Sequence, residues 1–170
     1  MATQSTAEAA GTKNPGSQQA LTFELGNETY GVEILRVREI RGWSTVTKIP
    51  HAPSHVLGVL NLRGSIVPVV DLRMRLDLER AEYTKVTVII VLSIHAGNGR
   101  REVGVVVDGV SDVIDVDAAE VKQPPDLGSR SATDYIRGLM PVGNRMVVLL
   151  DIDRLIGTQL SGMSADLEAA

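Results

Sequence analysis

The chain has 170 residues, 44% hydrophobic and 22% charged, which suits one compact fold or two small units packed together. A formal net charge of −4 leaves no electrostatic footprint for nucleic acid. The longest apolar run, residues 86–94, falls far short of the ~20 residues a membrane-spanning helix needs. Zero cysteines exclude disulfides, a thiolate nucleophile and a Cys metal site, and a single Trp and single Phe leave the core to Val, Ile and Leu.

Residues 1–19, rich in Ala, Ser, Thr, Gln and Gly, predict a disordered tail with neither the basic nor the apolar region of a secretory signal. The cytosol is the simplest compartment. Leu21-Thr22-Phe23-Glu24-Leu25 alternates at period two and runs into the turn signal Gly26-Asn27. An extended stretch over 30–40 follows, then strands over 66–72, 86–94, 103–107 and 146–150, with a hairpin loop at 96–99. The run 86–94 is apolar on both faces and rich in β-branched residues, so it reads as a central strand. Short helices are expected from Asp117, whose spacing to Glu120 is that of a capping box, and from Asp151 to Gly157. Residues 158–170 read as a second flexible tail.

The sequence also matches itself. Gly31, Val32, Ile34, Val37, Glu39 and Ile40 correspond to Gly104, Val105, Val107, Val110, Asp112 and Val113 at an offset of 73. Gly58, Ile66, Val67, Val69, Val70, Asp71 and Leu72 correspond to Gly138, Met146, Val147, Leu149, Leu150, Asp151 and Ile152 at an offset of 80. Two related β-modules of marginal size are implied, sharing an interface with a groove between them. The division falls at 82/83, giving units over 20–82 and 83–157, the end of the second free to pack back on the first.

No catalytic cluster emerges. His51 and His55 are four apart, but Pro50 and Pro53 disfavour the helix that would aim both at one metal, and His95 abuts a hairpin loop. Asp108, Asp112, Asp115, Asp117 and Glu120 alternate with Val and Ile as a solvated strand face would, without the Gly of a calcium loop. Gly97-Asn98-Gly99 opens no helix, so it is a turn and not a phosphate loop. A non-enzymatic protein without cofactor or metal is expected. Arg63 can either cap carbonyls or offer a donor fork to a partner, and its repeat mate Gly143 shows that the module does not need it. Val37 and Glu39, two apart and so on one strand face, suit either a half-buried strand or a docking edge.

The blocks Tyr30-Gly31-Val32-Glu33-Ile34, Val37-Arg38-Glu39-Ile40-Arg41-Gly42, Ile49-Pro50-His51-Ala52-Pro53, Gly58-Val59-Leu60-Asn61-Leu62-Arg63-Gly64 and Ile66-Val67-Pro68-Val69-Val70-Asp71-Leu72-Arg73 resemble the CheW family. Val105-Val106-Val107-Asp108-Gly109-Val110 continues the likeness, which spans about residues 20–157. The resemblance implies an all-β fold of two SH3-like five-stranded β-barrel subdomains with a few short helices. It implies a chemotaxis scaffold joining methyl-accepting chemoreceptors to the histidine kinase CheA, recruited from the cytoplasm to membrane-associated arrays without membrane insertion and monomeric when free. The alternatives are a CheW-like coupler in a non-chemotactic pathway and a small-ligand-binding β-module. By the same resemblance Val37, Glu39, Asn61, Arg63 and Val88 fall in the receptor groove, Val46 and Gly58 at one kinase contact, and Lys122 and Leu127 at a ring-closing contact. At those last two positions the family often has Arg and an aromatic residue, and this chain departs from it.

Overall fold

The structure is a computed structural model and describes residues 18–79, 82–97, 99–125 and 134–157. Leu127 and most of the two expected tails lie outside these residues, while Gln18 and Gln19 belong to the first strand. In chain order the strands are β1 (Gln18–Leu25), β2 (Glu28–Glu33), β3 (Val37–Gly42), β4 (Val56–Leu62), β5 (Ser65–Asp71), β6 (Val88–Ala96), β7 (Gly99–Val107), β8 (Gly109–Val116), β9 (Ile136–Val142) and β10 (Arg145–Leu150). Helix α1 (Leu72–Arg75) follows β5, capped by Asp71 Oδ1 accepting from Arg73 N at 3.0 Å. A π-helical turn, Asp153–Gly157, follows β10, where a helix was expected.

Two expectations need correction. The stretch 30–40 is not one strand, because a 3-10 turn at Ile34–Arg36 separates β2 from β3. Asp117 opens a turn and not a helix: its Oδ1 accepts from Ala119 N at 2.9 Å and its carbonyl from Glu120 N at 2.9 Å, which closes the chain on itself.

The strands form two five-stranded sheets, ordered β8-β1-β2-β10-β9 and β3-β6-β7-β5-β4. The sheets do not divide at 82/83. Each takes its hairpin from one copy of the repeat and its other three strands from the other copy. The registers are equivalent: Leu149 lies beside Gly31 in the first sheet, and Val69 beside Gly104 in the second. At the crossover from β7 to β8 the exchange follows from link length. Asp108 alone joins β7 to β8, one residue where a hairpin needs at least two, so the chain runs forward into the other sheet.

Single bridges, Thr47↔Val59 and Lys122↔Leu139, link each sheet's outermost strand to the segment after its opposite edge, closing both sheets on themselves. The interior of the first sheet is small, with Ala20, Met140, Val147 and Leu149 buried in it. Val69, Ile89, Val91 and Val106 fill the second. The larger core lies between the sheets and includes Leu21, Phe23, Val32, Val70, Ile90, Leu92, Val105, Leu150 and Leu155. Most of the apolar burial therefore belongs to the joint and not to either unit.

Candidate functional site

Leu62 pairs with Ser65, so β4 and β5 are joined by the two-residue loop Arg63-Gly64. Both residues have positive φ, 54° and 87°, the requirement of a type I′ turn matched to strand twist. The equivalent loop of the second copy starts with Gly143 at φ 58°. Glycine adopts this conformation freely, whereas an L side chain costs roughly 1–2 kcal/mol. Arg63 recovers little of that by packing, since its side chain is 85% exposed. Asn61 holds the turn, its Oδ1 accepting from Gly64 N at 3.0 Å.

Arg63 Nη2 reaches Glu39 Oε2 at 3.2 Å. Glu39 stands after a bulge in β3: Val37 is opposite Leu92, but Glu39 is opposite Val91. Those neighbours point to opposite faces, so the bulge separates the two side chains that their spacing would put on one face. The second copy keeps a bulge at the matching place, with Val110 opposite Phe23 and Val113 opposite Leu21. There the acid is Asp112, and its Oδ1 accepts from the Thr22 hydroxyl at 2.7 Å within its own sheet. The position matching Thr22 in the second sheet is Val91, which offers Glu39 nothing. Glu39 is thereby free to face Arg63.

Val37 and Val88 lie on the other face of the sheet, which carries Ile90 and Leu92 into the central core. Ile40, opposite Ile90 and between them, is 47% exposed, an apolar residue the sequence reading did not single out for this site. Its repeat mate Val113 is exposed to the same degree, 47%, a property that neither sequence position reveals. Edge strand β3 thus carries an apolar face at the subdomain joint and a charged pair on its reverse.

A family model described as the CheW-like domain matches residues 19–159. The chain is 45% identical over 142 residues to the chemotaxis protein CheW of Klebsiella aerogenes, covering 84% of this chain and 83% of that one. It is 38% identical over 144 residues to the chemotaxis protein CheW of Rhizobium meliloti, covering 85% and 90%. The crystal structure of the scaffolding protein TtCheW from Thermoanaerobacter tengcongensis superposes with a TM-score of 0.74 at 30% identity, over 84% of this chain and 90% of that one.

The chain belongs to the CheW family.

This CheW-like chain is accordingly a non-enzymatic scaffold protein with an all-β fold. No helix among the described residues is long and apolar enough to cross a membrane. Of the remaining expected positions, Val46 and Gly58 flank one closing bridge, and Lys122 forms the other through its backbone. Val46 packs against the interior of the second sheet. Gly58, at φ 151°, has a reason within the fold: a Cβ there would overlap the Thr47 carbonyl, lying 2.7 Å from its carbon. The side chain of Lys122 is exposed.

Asp108 does not belong to a solvated strand face, because it is the link between β7 and β8. Arg73 Nε donates to its Oδ1 at 2.7 Å, Arg73 Nη2 pairs with its Oδ2, and Gly26 N donates to that oxygen at 2.7 Å. Burial pushes the carboxyl upward, but Arg73 and the Gly26 amide outweigh it and hold the acid below its ordinary range. The Arg73 guanidinium is raised in turn, chiefly by its hydrogen bond to Asp108. The other crossover carries the same clamp with the charges exchanged, Arg36 on the link and Asp153 after β10, at 2.8 Å.

Proposed function

We propose that this CheW-like chain couples methyl-accepting chemoreceptors to the histidine kinase CheA as a scaffold with no chemistry of its own. Its relatives carry the names chemotaxis protein and scaffolding protein. The observation that carries the reading is Arg63, which holds in one copy a conformation that the other copy gives to glycine. Strain kept at an exposed side chain, with Glu39 left unused by the sheet beside it, suits a site made for a partner.

On this reading the receptor's hairpin tip packs its apolar residues on Val37, Val88 and Ile40, and its polar groups meet Arg63, Glu39 and Asn61 around the edge of β3. Arg63 supplies a rigid donor fork for charge-assisted hydrogen bonds. CheA binds elsewhere, at Val46 with Gly58 and at Lys122 with Leu127. The first three of these gather at the two closing bridges, which are equivalent ends of the repeat, so one chain can join two kinase modules into a ring. Receptor and kinase then share one packed β-scaffold, and a receptor-driven shift biases the kinase by a coupling free energy of ~1–3 kcal/mol.

Co-sedimentation with receptor-bearing membranes and with CheA tests this. Arg63→Ala and Glu39→Lys should each lower receptor co-sedimentation at least about fivefold, roughly 1 kcal/mol, while CheA binding and thermal stability hold. Unchanged receptor binding, or loss of the fold, would remove these side chains from the site. Gly58→Asp does not probe the kinase contact cleanly, because the side chain collides with the Thr47 backbone. Lys122→Glu, exposed and bonded only through its backbone, is the better probe, and unchanged CheA assembly would take Lys122 off the contact.

A further inference from the structure

A cleft of about 370 Å³ opens where the Ile34–Arg36 turn meets the far end of the β6–β7 hairpin. Arg36, Arg38 and Arg100 line it against a single acid, Glu33, with His95 on one wall. Leu35, on its lining, is 76% exposed. Arg36 is occupied by Asp153 at 2.8 Å and Glu33 at 3.8 Å. The side chains of Arg38 and Arg100 make no ion pair or hydrogen bond among the described residues. Two guanidinium groups therefore face a concave surface unneutralised.

The repeat shows that the fold does not require this. At the other crossover the positions of Leu35 and Arg38 are held by Asp108 and Ser111. His95 stands where the first copy has Gly26, its amide donating to Asp153 as that of Gly26 donates to Asp108, but the first copy has no imidazole there and no arginine matching Arg100. The pair Leu25↔Glu28, the last before the Gly26-Asn27 turn, corresponds to Ile94↔Arg101. The β6–β7 hairpin then continues for two further pairs, His95↔Arg100 and Ala96↔Gly99. That extension is what brings both residues to the cleft.

The chemistry selects the occupant. Arginine forks match carboxylates bidentately, and an exposed leucine beside them suits a ligand that carries apolar side chains as well as charge. A molecule of net charge −4 attracts polyanionic surfaces poorly, whereas a short acidic segment feels mainly the local charges within a Debye length of ~8–10 Å. We propose that this cleft docks an acidic segment of another protein, its carboxylates paired with Arg38 and Arg100 and an apolar side chain laid on Leu35. The site uses none of the residues assigned above to receptor or kinase.

Fluorescence anisotropy of the whole chain with a labelled peptide of alternating glutamate and leucine tests the assignment at about 0.1 M salt, against the same peptide with glutamine. Preference for the glutamate peptide of at least about tenfold is expected, with Arg38→Ala and Arg100→Ala each weakening it about fivefold or more. Arg145→Ala, an exposed arginine elsewhere, should leave binding unchanged. No binding, or equal loss in all three variants, overturns the proposal. So does stronger Arg38-dependent binding to anionic phospholipid vesicles or to single-stranded DNA. A concentration-dependent dimer abolished by Arg38→Ala would make the occupant a second copy and overturn it as well.

Discussion

Arg63 and Gly143 occupy one structural position in two copies of the same turn, at φ 54° and 58°. Replacing Arg63 by glycine should therefore raise stability by about 0.5–1 kcal/mol, the relieved strain being partly offset by the freedom glycine gains when unfolded. Receptor binding should fall in the same variant. Urea denaturation reads the first quantity, and a loss of stability would mean that the arginine side chain supports the fold. Arg63 was legible as a question in the sequence, since an arginine opposite a glycine invites one. The φ angle that weighs the answer was not legible, because one chain does not show which turn type a two-residue loop adopts. The separation of Val37 from Glu39 was likewise hidden, since a bulge leaves spacing unchanged and only the partner strand reveals it. Asp108 gives a second prediction. Its folded pKa is depressed, so its contribution is complete above the unfolded value of ~4 and disappears as pH falls through the folded one. Asp108→Asn should cost about 2 kcal/mol at pH 7. The gap from the parent should narrow as the solution is acidified, and a gap that stayed constant into acid would put the loss down to packing.

The two closing bridges are equivalent elements under unequal constraint. A Cβ at Gly58 meets the backbone carbonyl of Thr47, at a φ of 151° that side chains rarely adopt. A Cβ at Gly138 meets the Val121 side chain, which can move, and Lys122 O at 3.1 Å. Gly58→Ala should thus destabilise by about 2–4 kcal/mol and Gly138→Ala by about 1–2. Equal losses in calorimetry would show that the Thr47 segment yields as readily as a side chain. Among the strands, β1, β5, β6, β7 and β10 were readable from alternation or from apolar runs. Strands β4 and β9 were not, because Val56–Leu62 and Ile136–Val142 each break their apolar run with a glycine and a polar residue. Helix α1 was missed because four residues carry no period.

At the scale of the whole molecule, the repeat was visible but the exchange of hairpins was not. Sequence offsets report which segments are alike and not which segments pair. The shift from 73 to 80 falls in the link from β8 to β9, residues 117–135, which is longer than the equivalent link from β3 to β4, residues 43–55. Since each sheet draws on both copies and the largest core lies between them, fragments cut between residues 82 and 83 should be unfolded alone. Mixed in equal amounts they should recover a single folded species by circular dichroism, and a fragment that folds unaided would contradict shared burial as the source of stability. The strand pattern is that of a twofold dimer whose two subunits have been joined end to end. A true homodimer must carry every substitution twice, so a strained arginine, a spare acid or a lengthened hairpin would appear on both sides. Joining the halves lifts that rule while keeping the interlocked sheets. Arg63 can stand where its mate is Gly143, Glu39 can be released where Asp112 is tied down, and one crossover can be basic while the other is acidic. The fused pair keeps the mutual support of a dimer with the freedom of a monomer to give its two ends different work.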